Sequence, residues 1–211
     1  RNSRSPFPGK SFAMIAAFST WFALFFSALF TQNILLTNYL GMCPFLGASR
    51  ELKTSFGLGS AVVLVMTFTT PLNWLLYHGL LRPLGLDYLA LIVFICMIAA
   101  FTQLTELIIQ RVSDSLHAAL GIFLPLITVN CAILGASLFM VARDYSFLQT
   151  TAYGFGGGLG WMLALLAMAG IRQRIAKNRL PRGLEGAGIA LIIAGIMAMA
   201  FTGFTGMAAV T

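Results

Sequence analysis

Charged residues are so sparse along this chain that they mark out its elements. Between them lie apolar segments at about 14–49, 54–81, 88–110, 118–142, 145–171 and 184–210. A helix crossing the hydrocarbon core of a bilayer needs about 20 apolar residues. The pattern therefore predicts six transmembrane helices and an all-α membrane protein. The connections are short: Arg50–Lys53, Arg82–Asp87, Arg111–His117, Arg143–Asp144 and Arg172–Glu185. None can hold a soluble domain, so residues 14–211 read as one polytopic membrane domain. The first apolar run continues well past the h-region of a signal peptide, about 7–15 residues, and is read as uncleaved. Residues 1–13 mix Ser, Pro, Gly and Arg without an initiator Met and read as an extension foreign to the membrane domain.

Two of the six segments are interrupted. From Phe12 to Ser49 no charge occurs, a stretch too long for one helix and too short for two with a turn. It contains Gln32, Asn33, Asn38, Gly41 and Pro44. The fourth segment contains Gly121, Pro125, Asn130 and Gly135. Polar residues, Gly and Pro inside an apolar run free backbone groups that only surrounding protein can satisfy. Both segments are expected to be broken into half-helices.

The interruptions belong to an internal echo. Cys43-Pro44-Phe45-Leu46-Gly47-Ala48-Ser49 returns 88 positions later as Cys131-Ala132-Ile133-Leu134-Gly135-Ala136-Ser137. Phe56-Gly57-Leu58-Gly59 is echoed by Tyr153-Gly154-Phe155-Gly156. Each copy holds three segments, repeat 1 at about 14–110 and repeat 2 at about 118–210. An odd number of spans flips the second copy, giving an inverted-topology repeat of three plus three. Such repeats build sites near the bilayer midplane from discontinuous helices.

Composition agrees: 59% of the 211 residues are hydrophobic and 9% charged, against about 25% charged in soluble domains. The net charge of +7 is spread over short loops, which argues for orientation in a membrane and against a nucleic-acid surface. The 1–2, 3–4 and 5–6 connections carry Arg50, Lys53, Arg111, Arg172, Arg174, Lys177, Arg179 and Arg182. The opposite side carries Arg82, Arg143, Arg1, Arg4 and Lys10. The richer side is expected in the cytoplasm, with both termini outside.

Three cysteines cannot make a disulfide framework, and their positions differ in meaning. A single buried cysteine is ordinarily a small hydrophobe. Cys43 and Cys131 occupy matching places beside helix breaks, which makes them candidate metal ligands. Soft thiolates select zinc, copper(I) or iron–sulfur clusters. Two ligands do not close an iron–sulfur site, so another chain would have to complete one. A cysteine opening a half-helix also meets the positive end of its dipole. Asn130, beside Cys131, is a candidate hydrogen-bonding neighbour. Cys96 has no mate in the second copy and is expected to pack in the core.

The remaining candidates are weaker. Glu106 is the only acid inside a span and is a candidate for a cation path, against the plainer reading of a helix-end residue near the interface. The run Gly154–Gly160 lacks the strand and βαβ setting of a dinucleotide loop and is expected to serve close helix packing. His78 and His117 sit at span ends and form no facing pair for haem. No catalytic constellation is present.

Longer runs carry a family resemblance. These are Leu40-Gly41-Met42-Cys43, the stretch from Leu120-Gly121-Ile122-Phe123-Leu124-Pro125 through Thr128-Val129-Asn130-Cys131-Ala132-Ile133, and Tyr153-Gly154-Phe155-Gly156. From about Phe30 to Met207 the chain resembles the family formed by the E subunit of Na⁺-translocating NADH:quinone reductases and the A subunit of the Rnf complex. Phe139-Met140-Val141, Arg143-Asp144-Tyr145 and Gly160-Trp161-Met162-Leu163-Ala164 look more like the reductase member. Cys43-Pro44-Phe45 looks more like the Rnf one. The resemblance implies a six-helix subunit paired with a homologous D-type subunit of opposite orientation. One [2Fe–2S] cluster would be shared between them in the bacterial inner membrane, with Cys43 and Cys131 as this chain's ligands. NADH, FAD, FMN and quinone would belong to other subunits.

The expected function is thus an electron-relay subunit of a Na⁺-translocating NADH:quinone oxidoreductase. The rivals are the Rnf ferredoxin:NAD⁺ oxidoreductase subunit, an inverted-repeat secondary transporter, and a purely structural assembly subunit in which both cysteines tolerate serine.

Overall fold

The computed structural model describes residues 21–112, 124–176 and 186–208. All regular structure among them is helical. The stretch at 1–13, His117, Leu120–Phe123 and the cations Lys177, Arg179 and Arg182 lie outside the described residues.

The first expected span resolves into three helical pieces. Helix α1 runs over Trp21–Thr31, with its last turn widened at Ser27–Thr31. Helix α2 follows at Ile34–Asn38 and α3 at Met42–Ala48. This accounts for an uncharged run too long for one helix. Asn33 begins α2: its side-chain oxygen accepts from the Leu35 and Leu36 amides, satisfying donors that a helix start leaves free. Tyr39 (φ 55°) and Gly41 (φ 87°) turn the chain through left-handed backbone before α3. Pro44 falls in the first turn of α3, where its missing N–H costs nothing.

Helix α4 spans Leu52–Leu76 and continues through a π turn to Leu84. Helix α5 covers Ala90–Val112. The fourth expected span is broken as anticipated, into α6 at Leu124–Thr128 and α7 at Cys131–Ala142. Helix α8 spans Phe147–Ile175 and α9 Ala187–Ala208. Ser146 and Gln149 close a reciprocal capping box at the start of α8, a Ser-x-x-Gln signature legible in the sequence. Three of these stretches are long and apolar enough to cross a membrane: Leu52–Leu84, Asp87–Ile108 and Phe147–Ile175. Each of the other three expected spans holds a shorter apolar helix.

Helices α4 and α8 form the centre, antiparallel and closely packed. The glycine run of α8 makes this approach possible. A methyl group on Gly154 would lie 3.0 Å from the Met66 carbonyl oxygen, and one on Gly158 3.0 Å from the Val63 Cα. On another side, a methyl at Gly160 would lie 2.8 Å from the Leu29 carbonyl oxygen. The run therefore packs helices, as its setting indicated. Asn73 of α4 also donates to the Ser137 hydroxyl of α7 at 2.8 Å.

Polar contacts gather at the two ends. At one, Arg143 donates to Gln32 and, at 3.0 Å, to the Tyr145 hydroxyl. The second bond holds its guanidinium above its ordinary pKa. Nearby, the Trp74 indole donates to the Tyr145 carbonyl at 2.7 Å, and Arg82 stands 3.9 Å from Asp144. At the other end, Arg172 of α8 donates to the Leu46 carbonyl at 2.9 Å and to the Ser49 hydroxyl at 2.7 Å, tying down the end of α3. Among the described residues, Arg172 and the end of α3 thus meet at one end, and Arg82, Arg143 and Asp144 lie at the other.

The expectation for Cys96 is corrected. Its side chain is exposed. The buried stripe of α5 passes through Ala90, Phe94, Ile98, Thr102 and Thr105, at helical spacing, and Cys96 lies on the opposite face. In a helix apolar all round, hydrophobicity does not distinguish the packed side from the lipid side.

Candidate functional site

Both matched cysteines open half-helices. Cys43 is the second residue of α3 and Cys131 the first of α7. Cys43 is exposed and Cys131 half-buried. The amide of Gly41 donates to the Cys131 sulfur at 2.9 Å. Cys43 follows Gly41 by two residues, so its Cα lies within about 7 Å of that glycine's Cα. The fold thus brings the starts of α3 and α7 together, although 90 positions separate Gly41 from Cys131.

The two starts use different caps. Asn130 precedes α7 in extended backbone, and its side-chain oxygen accepts from the Ala132 amide at 3.0 Å. Gly41 precedes α3 without any side-chain cap. Its φ of 87° suits glycine, and there is no space for more: a Cβ there would stand 2.5 Å from the Trp161 indole nitrogen. Trp161 of α8 is fully buried, and the reading from sequence missed it. A signal was present. Tryptophan favours membrane interfaces, whereas this one lies in the middle of a span.

Three side chains therefore border Gly41: the Cys131 sulfur at its amide, and the Trp161 indole nitrogen and Asn130 side-chain oxygen where its Cβ would stand. Asn130 Nδ2 and Trp161 Nε1 are both buried without an acceptor. Beside them, between α5 and the break before α7, lies an apolar cavity of about 250 Å³. Ile95, Ile98, Val129, Asn130, Cys131 and Leu134 line it. Val129, in the break itself, is 86% exposed.

No group of three or more His, Cys, Asp or Glu residues converges among the described residues. Two thiols and an excess of N–H donors, with no carboxylate beside them, fit half of a tetrathiolate site carrying negative charge. Glu106 lies elsewhere, half-buried on α5 next to the buried Thr105. His78 is engaged at the far end of α4, stacked on Trp74 at 4.2 Å and bonded to the Trp74 carbonyl.

Comparison with known proteins decides the lineage. A family described as Rnf-Nqr subunit, membrane protein, matches residues 21–208. This chain belongs to the Rnf-Nqr subunit family. It is 47% identical over 194 residues to the E subunit of the Na⁺-translocating NADH-quinone reductase of Nitrosomonas europaea, covering 87% of this chain and 96% of that protein. It is 49% identical over 193 residues to the protein of the same name from Serratia proteamaculans, covering 89% and 98%. For the Marinobacter nauticus protein of that name the identity is 47% over 197 residues, covering 89% and 98%. These Rnf-Nqr relatives are subunits of an oxidoreductase complex. Membership in a membrane family accords with the long apolar helices described above.

Proposed function

We propose that this chain is the E-type subunit of a Na⁺-translocating NADH:quinone oxidoreductase of the bacterial inner membrane. There it relays electrons through a [2Fe–2S] cluster shared with a homologous D-type subunit. The observation carrying this reading is the 2.9 Å contact from the Gly41 amide to the Cys131 sulfur, which sets two cysteine-bearing helix starts side by side. Such a cluster, when bound, takes up and releases one electron.

Cys43 and Cys131 would each hold one position of the cluster as thiolates. Cys131 opens the twelve-residue α7, whose positive dipole end favours that negative charge. Gly41 orients the Cys131 sulfur, and Asn130 stands beside it. The exposed Cys43 and Val129 mark the face that the D-type partner would cover with the other two thiolates. NADH, FAD, FMN and quinone would be handled by the remaining subunits. The supporting architecture is a single domain of six spans, arranged as an inverted repeat of about 14–110 and 118–210. Its first and fourth spans are broken, and both termini lie outside.

The test is iron analysis and electron paramagnetic resonance of the pair made by co-expression with the D-type partner. About one [2Fe–2S] per pair is expected from the four-cysteine count. Cys43→Ser or Cys131→Ser should abolish it and stop electron flow to quinone, while NADH oxidation by an upstream artificial acceptor continues. Cys96→Ala should keep the signal. An active, iron-loaded double serine variant would overturn the proposal. Iron-free pairs that move a solute would favour the transporter reading.

A further inference from the structure

We infer that Trp161 sets the reduction potential of the site through its indole N–H, acting with the Gly41 amide and the Asn130 side-chain N–H as a three-donor cradle for anionic sulfur. This rests on the cluster reading above.

Donors outnumber acceptors at this point. The Gly41 amide uses the Cys131 sulfur, and the Asn130 oxygen is engaged with the Ala132 amide. Asn130 Nδ2 and Trp161 Nε1 are left over, on side chains 3% and 0% exposed. Both side chains crowd the spot where a Gly41 Cβ would stand, Trp161 Nε1 at 2.5 Å and Asn130 Oδ1 at 3.1 Å. Buried donors almost always have partners, and an orphan calls for a reason such as strain, an ion, a water or a redox role. An indole N–H can donate and nothing else. Two orphaned donors on side chains that border Gly41, whose amide already bonds the Cys131 sulfur, therefore suit extra negative charge on sulfur. Donation to sulfur favours the reduced, more negative state and raises the potential. The glycine keeps the cradle open, since any side chain there would displace the indole.

Trp161 is a positioning residue with a defined electrical consequence, so the readout is a potential. The pair with its D-type partner is titrated against redox dyes while the cluster signal is followed. Trp161→Phe keeps an aromatic ring and deletes the N–H. At a fixed ambient potential its ratio of reduced to oxidised cluster should fall about tenfold, equivalent to about 59 mV for one electron. Asn130→Ser keeps a capping oxygen for the Ala132 amide, deletes Nδ2, and should shift the same way; it carries the test alone if the tryptophan variant fails to assemble. Cys96→Ala should leave the midpoint where it was. A cluster present at normal occupancy with an unmoved midpoint in these variants would overturn the inference while leaving the ligand assignment intact. A wild-type pair without iron would overturn both.

Discussion

The Asn33 side-chain nitrogen donates to the Gly160 carbonyl across 2.8 Å, joining positions 127 residues apart in the chain. Its oxygen meanwhile caps α2 through the Leu35 and Leu36 amides. One side chain thus closes a break in the first span and fixes it to the middle of α8. Asn33→Ala should lose the cap, about 1 kcal/mol, and the buried hydrogen bond to the Gly160 carbonyl, about 0.5–1.5 kcal/mol. A lower thermal midpoint of the detergent-solubilised protein is expected, partly restored in Asn33→Ser, which keeps a neutral capping oxygen. An unchanged midpoint would contradict this role.

Gly41→Ala should be more damaging than its size implies. Left-handed backbone costs an ordinary residue on the order of 1–3 kcal/mol, and the added methyl would meet Trp161 Nε1 at 2.5 Å. Loss of assembled D–E pair on size exclusion is the expected result. Gly79→Ala is the control, because a methyl there meets nothing within 4 Å; its assembly should match wild type.

Much of this was readable from residue order alone. The long apolar helices follow from the spacing of charges, and the breaks from Asn33, Gly41 and Asn130. The echo of Cys43 and Cys131 singles out the two helix starts that the fold sets side by side. What pattern could not supply was partnership across the chain. Trp161, Arg172 and Gly160 act on residues more than a hundred positions away, and nothing in their neighbourhoods names those targets. Cys96 was misjudged for a different reason. Soluble helices advertise their buried face by contrast with polar residues, and a lipid-facing helix offers no contrast. The repeat also concealed a difference. Its echo aligns Asn130 with Met42, yet the first copy begins its cysteine helix with a left-handed glycine.

Glu106 is predicted to assist cation entry from the cytoplasmic side. It is a carboxylate within a long apolar helix, half-buried beside Thr105, and the ion pair found among the described residues does not involve it. Glu106→Gln should weaken the Na⁺ stimulation of quinone reduction severalfold while iron content stays normal. Full stimulation in that variant would return Glu106 to an interfacial role.

Sidedness can be checked independently. Arg172, Arg174 and Arg50 stand toward one end of the molecule, Arg82 and Arg143 toward the other. The first end is predicted to face the cytoplasm. A cysteine placed at Arg174 in an otherwise cysteine-free chain should resist an impermeant maleimide in intact cells and react after permeabilisation. Labelling in intact cells would reverse the orientation.

The bond between Asn33 and Gly160 also orders events on the ribosome. The break in the first span leaves the exit tunnel long before its partner carbonyl has been made. Until α8 has been synthesised, the Asn33 nitrogen has only the Leu29 carbonyl of its own segment, at 3.3 Å, and hydrocarbon offers no substitute for the shorter bond to Gly160. The amino-terminal span can satisfy Asn33 locally at first, and it gains its anchor to α8 only when the second half of the protein arrives.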